Sequence, residues 1–429
     1  MHPDFDFFST FVQGLSAKEV IVAVIGFISA AAFAGLWVTK LGRSILPQPS
    51  ESKVADFLPF NKLMSDGMTI RCYNGSFARV FKIEGLDLAF ATEEKNISML
   101  EARKSWIDNM SDLQVTCRVI TLRERIPPDE IIGTFDNPLL EQVAYTWQST
   151  LNRVYSNSHY VVISIPDRPD ALKDLNYASQ TLMATLSEYG VRAMFESEDS
   201  PFHVFSRICS PVSKPDPKVR NAEGAMLNEI LTADHIHFTG ENGIIKFFSG
   251  DQEMYAITMG LRTSGDFMDE SMIVSLLAID CELTMLHNIK PIFKPNARAL
   301  LLQQANMARM TSFSGDVIDQ YNEALSSIED SDANYQALTE YAMTLVLKGH
   351  SLEEIDFAEG EVQRICRLFG VTPVREGWVS QASFFNQFPT YDTYPRTYRY
   401  LSRVAAVAVS FDKPSEGFAK SDWGPGAIS

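Results

Sequence analysis

"YAMTLVLKGHSLEEIDFAEGEVQRICRLFGV", Tyr341 to Val371, carries the pattern on which the fold turns. Tyr341 to Leu347 is an apolar, partly β-branched run of strand length. Ser351 is an N-cap residue placed just before the periodic run Leu352 to Phe369, and Gly370 follows as a terminator, so a helix is predicted between them. From Val371 a second strand begins. The order is strand, helix, strand.

The same order recurs upstream. "HYVVISI", His159 to Ile165, reads as a strand, Ala171 to Tyr189 as a helix, Gly190 as its terminator and Val191 to Phe195 as a strand. "SEYGVRAMFE" and "CRLFGVTPVRE" use one joint twice, which predicts a duplication of α/β units. Gly-Val after a helix is also a common way to begin a strand, and that reading stays open. Earlier still, Met68 to Cys72 and Phe77 to Ile83 flank Asn74-Gly75, a dipeptide suited to a tight hairpin. Glu93 to Met110 reads as a helix with Ile97, Leu100, Ile107 and Met110 on one face, its Glu93-Glu94 pair suiting the positive end of the dipole. Leu113 to Leu122 is the strand after it.

Between the copies, Pro201 to Pro217 holds four prolines and reads as a linker. A helical stretch from Ala297 to Asp330 interrupts the second half. The expected organisation is therefore a tail over 1–19, an apolar segment over 20–39, a linker over 40–55 and a first α/β subdomain over 56–200. The linker 201–217, a second subdomain with a helical insertion over 218–412, and a lead-in over 413–429 complete it.

Val20 to Thr39, "VIVAVIGFISAAAFAGLWVT", has no charged residue in twenty. As a helix it would extend about 30 Å, enough to span a hydrocarbon core. A cleaved signal peptide is the competing reading, through Ala32-Phe33-Ala34. The acidic Asp4 and Asp6 and the length of the run argue against cleavage. Lys40, Arg43 and Lys53 follow the segment, which predicts a single-pass inner-membrane protein with its C-terminal portion cytoplasmic. The expected fold class is mixed α/β behind an N-terminal transmembrane helix. Gly26, Ala30 and Ala34 recur on one side of that helix and suit a partner helix.

A net charge of -17 repels a phosphate backbone, so direct nucleic-acid binding is not expected. The five cysteines are dispersed, without a C-x-x-C, and suit a reducing compartment. Asp234-His235-Ile236-His237 puts two imidazoles on one face of a strand but offers no third metal ligand. No Gly-Lys dipeptide occurs anywhere, which excludes the phosphate loop G-x-x-x-x-G-K-[ST]. "LLAIDCE", Leu276 to Glu282, imitates the metal-holding strand of a nucleotidase, and a buried strand ending at Asp280 is the reading preferred. There is no G-x-S-x-G and no H-E-x-x-H. Asn74, Asn96 and Asn109 open sequons that would matter only outside the cytoplasm. The aromatic run Phe384 to Tyr400, interleaved with Arg396, Arg399 and Arg403, is assigned to packing or a protein interface rather than to single-stranded nucleic acid. No catalytic, cofactor-binding or metal-binding residue is proposed.

"DFLPFNKLMSDGMTIRCYNGSFARVFKIEGL" (Asp56 to Leu86), "LLAIDCELTML", the opening stretch and "SFFNQFPTYDTYPRTYRYLSRVAAVAVSF" (Ser383 to Phe411) together resemble the N-terminal region of the CagE/TrbE/VirB family, the ATPases of bacterial type IV secretion and conjugation systems. The resemblance covers most of residues 55 to 429. It implies a noncatalytic region that docks a motor to inner-membrane subunits and aids homo-oligomerisation. In that family a phrase like "DWGPGAIS" precedes the ATPase domain, so ATP and magnesium are expected only for a domain beyond Ser429. The alternative is a complete single-pass scaffold protein of a secretion apparatus, without an ATPase domain of its own.

Overall fold

The computed structural model describes residues 53–87, 91–126, 137–150, 154–215, 227–262, 268–310, 315–329, 335–392 and 394–413. The chain divides into two compact units, Met1–Asp56 and Phe57–Ser429. Of the first, only residues 53–56 are among those described, and they open a 3-10 turn, Val54–Phe57.

In the second unit the elements follow in order: β1 (Phe60–Leu63), β2 (Thr69–Cys72), β3 (Phe77–Ile83), α1 (Glu93–Met110), β4 (Thr116–Arg125), α2 (Pro138–Thr150), β5 (Tyr155–Ile165), α3 (Ala171–Thr185) and β6 (Val191–Ala193). Two short helices come next, α4 (His203–Cys209) and α5 (Leu227–Leu231). The series then repeats as β7 (His235–Phe238), β8 (Ile244–Ser249), β9 (Gln252–Arg262), α6 (Glu270–Leu277), β10 (Glu282–Pro291), α7 (Lys294–Met310), α8 (Gly315–Glu329), β11 (Leu338–Gly349), α9 (Leu352–Leu368) and β12 (Thr372–Arg375). Helix α10 (Ser380–Phe385), β13 (Tyr398–Leu401) and α11 (Ser402–Ala408) close it.

The strands form one sheet in the order β1-β2-β3-β5-β4-β10-β11-β9-β8-β7, with β6 on β3, β12 on β9 and β13 on β11, every named pair antiparallel. Within it, β6-β3-β5-β4 and β12-β9-β11-β10 are the same βαββαβ arrangement, the split βαβ or ferredoxin-like topology. Registers agree as well as order. Phe77 faces Ile165 where Ile257 faces Leu347, and Thr116 faces Ser164 where Thr284 faces Val346. The two copies fuse through β4 and β10, with Ile120 opposite Leu286, so neither leaves an edge there.

Local chemistry accounts for the elements. Thr92 caps α1 by accepting from the Lys95 amide, and Ser351 caps α9 by accepting from Glu354. Gly190 lies in the left-handed region at the close of the α3 joint, and Gly370 does so at the close of α9. In the β2–β3 turn the Asn74 carboxamide accepts from the amide and hydroxyl of Ser76, and Gly75 has φ +87°.

Alternation along the strands sends two sets of side chains to two faces. One face buries Phe77, Phe81, Val119, Ile163, Met259, Met285 and Leu345 under α1, α3, α6, α9 and α11. The other buries Phe60 and Phe247 among Phe202, Phe205, Phe384 and Phe388. The aromatic run Phe384 to Phe388 thus packs, and Phe205 on α4, within the proline-containing stretch, lies tilted against Phe388 with ring centroids 5.8 Å apart. Helices α7 and α8 divide the stretch read as one helical region and enclose a small core of Ala297, Leu301, Ile328 and Leu338.

Three expectations are corrected. The fold class is mixed α/β around a large antiparallel sheet, and no helix among the described residues is long and apolar enough to cross a membrane, which stands against the expected transmembrane helix. The segment Val20 to Thr39 itself lies outside those residues. The same finding stands against the expected single-pass inner-membrane placement, since none of the described helices offers a membrane span. Second, "LLAIDC" is not a strand. Leu276 and Leu277 end α6, Ala278 to Cys281 turn, and the strand starts at Glu282, leaving Asp280 exposed. Asp269 accepts from the Ser271 amide and starts the helix; a short apolar run has no period that separates buried strand from buried helix. Third, of the face expected on α1, Ile107 and Met110 are buried and Leu100 packs against the core, but Ile97 is exposed, and Met99, Arg103 and Trp106 are buried beside them.

Candidate functional site

Arg103 stands on the buried face of α1, one turn from Met99 and Trp106, with a side chain 1% exposed. Its Nη1 donates to Glu270 Oε1 at 2.7 Å and to the Val409 carbonyl at 2.6 Å, and Nη2 donates to Glu270 Oε2 at 3.3 Å. Glu270 is the first residue of α6, where the dipole favours a carboxylate. One guanidinium therefore joins the first copy, the second copy and the segment that follows α11. A planar fork with five donors can serve such a three-way junction.

The segment Val409 to Lys413 is held at further points. Leu86 donates its amide to Phe411 O and accepts from the Lys413 amide, both at 3.0 Å, in a parallel bridge. Gly85 has φ +85°, and a Cβ there would stand 2.7 Å from Phe411 O, so glycine is required by backbone shape and by space. The Phe411 ring packs edge-on against Tyr189 and His159, with centroids 5.2 and 5.8 Å away.

His159 Nε2 lies 3.0 Å from Asp412 O and Nδ1 lies 2.9 Å from Thr121 Oγ1. A carbonyl only accepts, so Nε2 carries the proton and the threonine hydroxyl donates to Nδ1. Burial pushes the imidazole down to about 4, so it is neutral. On β10, His287 Nδ1 meets the Tyr341 hydroxyl at 2.8 Å, and burial lowers it to about 3. Each of the two imidazoles is thus buried against a hydroxyl, Thr121 for His159 and Tyr341 for His287.

On the other face Arg118 pins the connection after α10. It donates to Ser164 Oγ at 3.0 Å, Tyr391 O at 2.8 Å and Asp392 Oδ1 at 2.7 Å. Beside it opens a cleft of about 610 Å³ at the join of β4 and β10. Gln114 and Thr390, non-glycine residues with φ 49° and 78°, both line it. Its lining mixes Lys290, Glu340 and Arg399 with Ile165, Ile292 and Phe293.

His235 and His237 do share the exposed face of β7, and no group of three or more metal-ligating side chains occurs among the described residues. The five cysteines are buried thiols. The sequence has no Gly-Lys, and Asp280 lies on an exposed turn instead of at the end of a buried strand. Reasoning from sequence missed Arg103, Glu270 and Arg118. An arginine spaced i−4, i+3 and i+7 from Met99, Trp106 and Met110 was the available signal for the first.

Fold and site define a duplicated α/β unit whose closing segment is locked across the join of its halves. Residues 68–170 match the family described as "Type IV secretion system ATPase VirB4/TrbE, N-terminal domain", and residues 204–396 match the "CagE, TrbE, VirB family, component of type IV transporter system". The chain belongs to this family of type IV secretion ATPase components. No curated protein matches it.

Proposed function

We propose that this chain is a noncatalytic docking and assembly platform of a type IV secretion ATPase, binding other components of the apparatus and copies of itself. The observation that carries this reading is the Arg103 junction. It fastens both halves of the sheet and the segment leading to Lys413 at one buried point, so load on that segment reaches the whole platform. Membership of a multi-subunit secretion family supports the docking role. The missing phosphate loop supports placing hydrolysis outside these residues. The test is affinity purification of the tagged full chain after cross-linking in cells that assemble a type IV apparatus. Subunits of that apparatus should co-elute in fixed proportion; a chain that elutes without them overturns the docking role.

A further inference from the structure

Helix α9 carries on its outer side a pattern that its counterpart α3 lacks. Their terminating glycines, Gly370 and Gly190, differ by 370 − 190 = 180 positions and align the two helices. Leu172 and Tyr177 on α3 then match Leu352 and Phe357 on α9, and all four are exposed. Only α9 adds Gly360, at the middle of its 17 residues, on the exposed side. A Cβ at Gly360 would meet nothing within 4 Å, so no packing inside the chain requires glycine there. In an exposed helix interior glycine costs about 1 kcal/mol relative to alanine, and close approach of another backbone is a standard reason for retaining it.

Charges are ordered about that glycine. Glu353 and Asp356 precede it, Arg364 and Arg367 follow it, and all are exposed. Turning the helix end for end about residue 360 sets Leu352 against Leu368, Glu353 against Arg367 and Asp356 against Arg364. The helix dipole alone would favour this order of charges, but it explains neither Gly360 nor the exposure of Phe357 at 57% and Leu368 at 72%. The corresponding positions of α3 are Lys173, Asn176, Gln180, Ala184, Ser187 and Glu188, which have no such complementarity.

We propose that the outer face of α9 binds the same face of a second copy, antiparallel and crossing at Gly360. A two-fold contact makes each pairing twice. Arg364 is engaged only in an exposed pair with Glu361, 2.8 Å away, which is readily exchanged. A cleft of about 340 Å³ beside α9, lined by Ala278, Ile279, Leu368, Phe369 and the chain's own Phe357, offers the Phe357 ring of the second copy burial against its counterpart. The proposal rests on the self-assembly reading above and names its surface.

The test is sedimentation of the full chain with two charge reversals, Glu353→Arg with Asp356→Arg, and Arg364→Glu with Arg367→Glu. Each reversal should weaken self-association about tenfold or more, and an equimolar mixture of the two should recover it. In addition, Gly360→Cys should form an intermolecular disulfide on mild oxidation and Glu353→Cys should not, the native cysteines being buried. Association unchanged by both reversals, with no gain on mixing, overturns the α9 surface and leaves self-assembly standing. A wild-type chain that stays monomeric at about 100 μM overturns both.

Discussion

The Nε2–H of His159 donates to the main-chain carbonyl of Asp412, 253 positions along the chain, at 3.0 Å. A residue at the centre of the first copy thereby holds the segment that leaves the second, and it does so only while neutral at Nδ1, where Thr121 donates.

Stability should fall with acid through this pair of buried histidines. Their folded values, about 4 for His159 and about 3 for His287, lie below the ordinary 6.5. The unfolded chain thus binds protons first as pH drops. The contribution is complete above about pH 6.5 and is lost as pH falls toward 4, at about 1.4 kcal/mol per pH unit for each histidine. His203, also lowered by burial, acts in the same direction. Urea midpoints between pH 7 and about 4.5 check this; His159→Gln should flatten the slope by about one proton, and an unchanged slope would count against the assignment.

Arg103→Met should destabilise the chain by about 3 kcal/mol, since it leaves Glu270 and the Val409 carbonyl without their donor. Partial exposure of Glu270 keeps the cost below that of a fully buried orphan. Chymotrypsin should then cut first after Phe411, which is buried in the wild type, ahead of sites in the sheet. Equal protection of Phe411 in wild type and variant would refute the junction.

Gly85→Ala should cost about 2 kcal/mol, combining a left-handed φ with a Cβ driven against Phe411 O. Gly67→Ala, with φ +70° but open space around it, should cost about 1 kcal/mol, the strain alone. Thermal unfolding of the two variants separates the terms, and equal losses would remove the close approach from the account.

The purified full chain should not turn over ATP, and Asp280→Asn should change nothing measurable. Phosphate release above a blank, abolished by that substitution, would reveal a site that the phosphate-loop rule does not describe.

Much of the local structure was legible in the residues. The bounds of α1 follow from the acidic first turn and the period of the run, and Ser351 with Gly370 delimits α9. Such signals act within a few positions. What decides the architecture acts over long separations: β4 lies beside β10, and Arg103 meets Glu270 167 positions away. No local pattern encodes those pairings. On α1 only the edges of the face were misread, Ile97 because it is apolar and Arg103 because it is charged, whereas packing exposed the isoleucine and buried the arginine with its partners. Aromatic residues at 384–388 showed that something packs there, and only the fold identified Phe60 and Phe205 as what they meet.

The most direct test of the central claim is the stoichiometry of this chain in a type IV apparatus purified from cross-linked cells. The platform reading predicts fixed proportions with the other subunits, retained by the Asp280→Asn variant. A chain absent from the purified apparatus, or present only in proportion to its own ATP turnover, would contradict it.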